Sequence, residues 1–233
     1  MCGRLTLRTP ISALTALFSG LQFSQRKFRF NICPTQPILC IRQSESFQLE
    51  AVDLRWGLIP PWTKDTKIGT GLINARSETA ASKPSFRDAF QCRRCLIVAD
   101  GFFEWKKIGT SKQPFYISKK DQQPFCLAGL WETWRDDTRP TQTHVQTCTI
   151  LTTSANDFMA PIHDRMPAFL QPDQFERWLD KSNRRADSVQ PMLSPLRADS
   201  LQAYPVATLV NRPNHDSLEC IARSDAPIQQ NLF

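Results

Sequence analysis

The stretch Arg94-Cys95-Leu96-Ile97-Val98-Ala99-Asp100-Gly101-Phe102-Phe103-Glu104-Trp105-Lys106-Lys107 decides the fold class. An aliphatic run comes first, then an Asp-Gly break, then an aromatic-rich run. Short apolar runs bounded by Gly, Pro, Asp and Lys read as strands, here 94–100 and 102–107. Ile108-Gly109-Thr110-Ser111-Lys112 reads as a turn into a strand at 113–118. Lys119-Lys120-Asp121-Gln122 reads as a second turn into 124–131, so an antiparallel meander is expected. Working outward, 37–43, 47–54 and 144–152 repeat the pattern, and another strand is expected near 203–209.

Helical signals are short. Residues 9–19 suit a helix capped by Thr9, with Pro10 first, Ile11, Leu14, Leu17 and Phe18 on one face, and Gly20 at the end. Further short helices are expected at 84–91, 155–160 and 171–180, with 181–200 a polar loop. No βαβ alternation, repeat or clear linker is present. The expected fold is therefore α+β, one domain over 1–233, built on a mainly antiparallel, barrel-like β-sheet with short flanking helices. Its core should run from about residue 2 to 221, with a loosely attached C-terminal end.

A chain of 233 residues with 41% hydrophobic and 22% charged content can bury a substantial core and is not expected to be disordered. Twenty-nine Lys and Arg against 22 Asp and Glu leave a net charge of +7. That balance favours an anionic partner, nucleic acid before membrane, since no basic amphipathic helix stands out. No apolar run reaches the roughly 18 residues of a spanning helix, and no secretion signal opens the chain. An intracellular location is expected, cytoplasm or nucleoid for a bacterial protein. Several of the eight cysteines sit in apolar runs, as in Pro37-Ile38-Leu39-Cys40-Ile41, which suits reduced, buried thiols. Cys92-Arg93-Arg94-Cys95 has CxxC spacing but no second pair or nearby histidine, so no metal and no cofactor are expected.

The chemistry begins at Met1-Cys2-Gly3-Arg4. Once Met1 is removed, Cys2 carries both an α-amine and a thiol, which titrate near ~8 and ~8.5 in free peptides. On adjacent carbons the pair can trap an aldehyde, the amine as a Schiff base and the thiol by closing a thiazolidine. The same residue can attack an amide carbonyl with its own amine as base. Alone, a Met-Cys-Gly start is better explained by chance in a fraying tail.

Only three histidines are present, and His163 lies in Ala160-Pro161-Ile162-His163-Asp164-Arg165-Met166-Pro167, a loop stiffened by proline at both ends. A solvated His-Asp-Arg turn is the plain alternative. Glu104 sits among aromatics, where desolvation would raise its pKa into the proton-transfer range; the solvent face of a strand is its alternative. Asn74 follows the apolar Leu72-Ile73, and its alternative is a cap. Arg4, Arg76 and Arg165 each lie within two residues of a candidate, and three gathered guanidiniums suit phosphates. Trp62, beyond Pro60-Pro61, is a candidate stacking surface for an unpaired base, whereas Trp56 reads as core.

In order along the chain stand Met1-Cys2-Gly3-Arg4, Phe30-Asn31-Ile32-Cys33-Pro34, Arg55-Trp56-Gly57-Leu58-Ile59-Pro60, Ile73-Asn74-Ala75-Arg76-Ser77-Glu78, Asp100-Gly101-Phe102-Phe103-Glu104-Trp105 and Ile162-His163-Asp164-Arg165-Met166-Pro167. Together they resemble the SOS-response-associated peptidase (SRAP) family, the abasic-site processing proteins. The resemblance spans residues 2 to about 221, with Val210-Asn211 and Glu219-Cys220-Ile221 similar to the closing segment. Cys33 departs from the family's usual alanine; a thiol is small enough to fit there without changing the expected activity, and it would put a second sulfur near the site.

The resemblance implies that Cys2, freed of Met1, cross-links to the aldehyde of an abasic site in single-stranded DNA as a thiazolidine. It implies that Asn74 hydrogen-bonds the sugar or the Cys2 terminus, that Glu104 is the general acid/base, and that His163 protonates the sugar oxygen during ring opening. Arg4, Arg76 and Arg165 would hold phosphates, with Asn31, Pro34, Trp62, Trp105 and Thr152 shaping the strand path. Peptidase activity would be self-processing. Expected partners are abasic single-stranded DNA and replication-fork proteins, with no membrane, and the protein is expected to be a monomer. Two other classes stay open: an N-terminal-cysteine amidohydrolase of the glutaminase kind, and a non-covalent single-stranded DNA-binding module.

Overall fold

Apolar runs too continuous to alternate need neighbours on both faces, and they find them in a closed barrel. In the computed structural model, which describes residues 2–136 and 143–224, the strands are β1 (Leu5–Leu7), β2 (Arg29–Ile32), β3 (Pro37–Gln43), β4 (Leu49–Trp56), β5 (Asn74–Arg76), β6 (Arg94–Ala99), β7 (Gly101–Ile108), β8 (Ser111–Lys119), β9 (Phe125–Asp136), β10 (Thr143–Ser154), β11 (Arg165–Pro167), β12 (Phe169–Leu170) and β13 (Leu201–Pro205). All six residues of β6 are buried between β3 and β9. The twelve-residue β9 serves two neighbours, pairing with β6 through 125–130 and with β10 through 129–136. Because β10 also meets β4, the order β10-β4-β3-β6-β9 returns to β10 and the ring closes. Closure removes the exposed edges of an open sheet.

The pairing is antiparallel except where β10 runs parallel to β4 and to β5. The structure is thus an α+β fold on a mixed barrel sheet with short flanking helices. Gly57 makes one of these seams possible. Its φ is +121°, and a Cβ there would lie 2.5 Å from the Gly69 carbonyl. A bare backbone lets the 310 turn Thr66–Gly71 pack against the end of β4 and deliver β5 to β10.

A second sheet, ordered β13-β8-β7-β1-β2, lies against the barrel. Phe102 of β7 packs edge-on against Phe125 and Phe169 at 6.5 and 6.3 Å, locking the layers together. Alternation along β7 divides its side chains. Phe102 joins the main core, while Phe103 joins a smaller cluster with Tyr116, Val206, Val210, Cys220 and Ile221. Glu104, two residues after Phe102, therefore shares the face turned toward the barrel.

The strands expected at 37–43, 94–100, 102–107, 113–118, 124–131 and 144–152 match observed ones within a few residues, and 47–54 appears as 49–56. Several expectations are corrected. The turn at 119–122 does not continue a meander, because β8 pairs with β7 and β13 while β9 pairs in the barrel. The first helix spans Ile11–Leu17 with Pro10, not Thr9, at the cap position, since the Thr9 hydroxyl is used by Asp100 at 3.0 Å. Residues 155–160 form turns around Asn156 rather than a helix. Within 181–200, short helical turns occur at Ala186–Val189, Gln190–Met192 and Ala198–Ser200. The last strand is Leu201–Pro205, and 208–211 is a 310 turn. The expectation about the C-terminal end concerns 225–233, which lie outside the described residues.

Candidate active site

Cys2 is buried, with 1% of its surface exposed, just ahead of β1. The main chain beside it is held from two sides. Phe103 N–H donates to the Arg4 carbonyl at 3.1 Å, and Asn74 Nδ2 donates to the Cys2 carbonyl at 2.8 Å. Asn74 opens β5, which β10 holds in register through Ile150↔Asn74, so the amide arrives from the barrel sheet and Cys2 from the second sheet. Asn74 Oδ1 is buried without a hydrogen-bond partner among the described residues. A carbonyl oxygen in that state is an open acceptor for an amine or hydroxyl.

Burial pushes the Cys2 thiol well above its ordinary range, and the charge of Glu104 adds to the rise. Glu104 is 1% exposed, and burial raises its carboxyl to about 7. The Trp105 N–H favours the charged form, and Asp164 pushes the other way. Asp164 therefore lies within electrostatic reach, which brings the His163 loop to Glu104. A carboxyl poised near neutrality beside an amine–thiol residue suits proton transfer in both directions.

His163 precedes β11, and its Nδ1 accepts the Arg165 main-chain N–H at 3.0 Å. That bond keeps the Nδ1 lone pair occupied, so the neutral ring carries its proton on Nε2. Nδ1 also lies 2.9 Å from Asp164 Oδ1, a contact that becomes favourable only when Nδ1 is protonated. Burial holds the His163 pKa below its ordinary value, so the neutral form with the Arg165 contact prevails at neutral pH.

The cationic and aromatic candidates divide into two groups. Arg76 is exposed, without a hydrogen-bond or ion-pair partner among the described residues, and Trp62 is 60% exposed. Arg4 lies half-buried with its guanidinium 6.0 Å from the Trp105 ring centre, and Trp105 Nε1 donates to Asn211 Oδ1 at 2.8 Å. Pro34 is half-buried beside the buried Cys33, whose thiol feels the charge of Arg4. These residues can meet a nucleic acid.

Asn31 and Thr152 are placed differently from the expectation, and Arg165 is committed to partners within the protein. Asn31 is fully buried, its Nδ2 donating to the carbonyls of Val210, Arg212 and His215 at 3.2, 3.1 and 2.8 Å. It ties β2 to the 208–215 loop and offers no surface to a strand. Thr152 is also fully buried, its hydroxyl spanning the Ala75 carbonyl and Arg165. Arg165 is not an unpaired cation: it grips both Glu78 oxygens at 2.7 and 2.9 Å and donates to the Thr152 carbonyl at 2.6 Å. Its charge is partly spent within the protein, and the Glu78 carboxyl is held below its ordinary range in return.

Glu78 and Asp100 hold candidate residues or the arm behind Cys2 in place, though neither carries a local signal of it. Glu78 was in view beside Arg76, but its partner is 87 residues away. Asp100 passed as punctuation before Gly101, whereas it is a 3% exposed carboxylate that accepts several hydrogen bonds from residues 6–9.

With the geometry established, comparisons with known proteins converge. The family model for SOS response associated peptidases (SRAP) matches residues 1–213. An abasic site processing protein of Bacillus subtilis strain 168, YoqW, is 42% identical over 225 residues, covering 95% of this chain and 99% of that protein. The abasic site processing protein YedK of Escherichia coli K12 is 32% identical over 198 residues, covering 83% of each. A crystal structure of a protein from Bacteroides thetaiotaomicron superposes with a TM-score of 0.82 at 27% identity, over 96% of this chain and all of that one.

Proposed function

Because the chain belongs to the SOS-response-associated peptidase family, we propose that it processes abasic sites in single-stranded DNA by forming a covalent thiazolidine at Cys2. The observation that carries the reading is the convergence of Asn74 and Glu104 on Cys2 from two different sheets. Hydrolysis of the Met1–Cys2 peptide bond releases methionine and frees the α-amine. The amine adds to the C1 aldehyde of the open abasic sugar, and loss of one water gives the imine. The thiol then adds to the imine carbon while its proton passes to nitrogen, closing the five-membered ring.

Each step has a residue suited to it. The Asn74 bond to the Cys2 carbonyl fixes the α-carbon, so amine and thiol swing from a stationary point, as near-attack geometry requires. Glu104, near half-ionised at neutral pH, can take a proton from the amine or thiol and return it to departing water. Neutral His163, with its proton on Nε2, is a donor for the sugar ring oxygen during opening. Arg76 and Arg4 supply charge for flanking phosphates, and Trp62 a face for a base.

The test is incubation of Met1-free protein, verified by intact mass, with an abasic single strand, followed by denaturing electrophoresis. A heat-stable adduct one protein heavier, mapped to Cys2, is the expected result. Salt-sensitive binding without an adduct would reduce the protein to a binding module, and glutamine hydrolysis without an adduct would make it an amidohydrolase.

A further inference from the structure

A chain terminus is the part of a fold most prone to fray, yet the reaction needs Cys2 held still. Downstream of Cys2 the main chain meets a buried carboxylate that the chemistry does not use. Asp100 Oδ1 accepts the Thr6 hydroxyl at 2.6 Å and the Arg8 Nε at 3.3 Å. Oδ2 accepts the Thr9 hydroxyl at 3.0 Å and the Arg8 main-chain N–H. Asp100 N–H donates back to the Thr6 carbonyl at 3.0 Å. Tyr116 closes the other side, its hydroxyl 3.1 Å from Thr6 Oγ1 and 3.2 Å from Arg8 Nη2. It reaches them by crossing Gly101, where a Cβ would lie 2.1 Å from the tyrosine oxygen.

We propose that Asp100 is a positioning residue for Cys2, clamping residues 6–9 so that β1 presents the nucleophile at a fixed register to Asn74 and Glu104. Asp100 sits at the bend between β6 and β7, and β7 carries Glu104 only four residues later, so the clamp on the arm and the proposed proton carrier lie on one short stretch of chain. The inference deepens the proposed cross-linking reaction and rests on it for its kinetic arm, but the placement of Cys2 can be tested without DNA.

Asp100→Asn keeps the shape but puts an amide donor against hydroxyl and N–H donors. Thr9→Val removes a single donor and serves if the first variant does not fold. Both are compared with wild type at a temperature where circular dichroism shows each fully folded. Two quantities are read: the rate of Cys2 alkylation, mapped by mass spectrometry, and adduct formation at saturating abasic DNA against non-covalent affinity. Alkylation should rise about tenfold, the factor implied by losing one charge-assisted hydrogen bond. The saturating rate should fall on the order of 10²-fold, as for a displaced nucleophile, with affinity unchanged. Unchanged Cys2 labelling, or faster labelling with an unchanged adduct rate, overturns the proposal. If wild type itself forms no adduct, the cross-linking reading fails, and labelling alone decides whether Asp100 places Cys2.

Discussion

Asn74 Nδ2 and the Cys2 carbonyl oxygen lie 2.8 Å apart although 72 residues separate them in the chain. This bond joins the barrel sheet to the sheet that carries Cys2, so the candidate site exists only when both layers are assembled. Asn74→Ala should leave the fold intact and slow adduct formation by up to about tenfold from the lost hydrogen bond alone. Asn74→Asp, which turns an acceptor toward an acceptor, should be slower still. Single-turnover kinetics on abasic oligonucleotides would check the order; equal rates for all three proteins would remove Asn74 from the site.

Cys2 provides the sharpest prediction. Cys2→Ala should form no heat-stable adduct while binding DNA as before. Cys2→Ser keeps the amine and loses the thiol, so its product should be an imine that survives only after borohydride reduction. A heat-stable adduct from Cys2→Ala would show that the nucleophile lies elsewhere.

Glu104 couples activity and stability to pH with opposite demands. Its folded carboxyl, raised to about 7, binds its proton more tightly than in the unfolded chain, where the ordinary value is near ~4.3. Between those values the folded state holds more protons, so the contribution of this group to stability declines as pH rises from about 4 to 7. Glu104→Gln should flatten that decline in urea melts taken across the window, and above pH 7 should be more stable than wild type. Adduct formation by the same variant should fall by about 10²–10⁴-fold. A wild-type rate together with an unchanged pH–stability curve would refute the assignment.

Arg76 and Asn31 should separate cleanly. Arg76→Ala removes an exposed cation, so affinity should drop similarly for all sequences and the salt slope for single strands should become shallower by about 0.7. Its melting temperature should not move. Asn31→Ala removes a donor shared by three carbonyls and should cost about 1–3 kcal/mol of stability, chiefly through the buried Val210 carbonyl left unpaired. Calorimetry and a salt titration of binding distinguish the two; an Arg76→Ala protein with the wild-type slope would place the phosphate path elsewhere.

Arg165 should behave as neither. Arg165→Ala breaks the fork to Glu78 and the tie to Thr152, so it should lose stability as well as affinity. Glu78→Gln isolates the structural part. If Glu78→Gln destabilises while leaving the salt slope unchanged, Arg165 serves chiefly to brace β10 and β11.

The sequence alone was enough for the long strands and for the family. Runs such as Leu96-Ile97-Val98 announce themselves because burial on both faces selects apolar residues without interruption, and the ordered motifs from Cys2 to His163 carry the family. It was silent on β1, β2, β5, β11 and β12, which are two to four residues long and too short to show a period. Those short strands nonetheless position Cys2, Asn74, Arg76 and Arg165. Tertiary structure also decided which polar residues reach solvent. Asn31, Thr152 and Arg165 look like ligand contacts in a linear chain, because a side chain's hydrogen-bonding capacity is local while its partners are not. Only folding showed that Val210, Ala75 and Glu78 take up that capacity from 77 to 179 positions away, leaving Arg76 and Trp62 exposed.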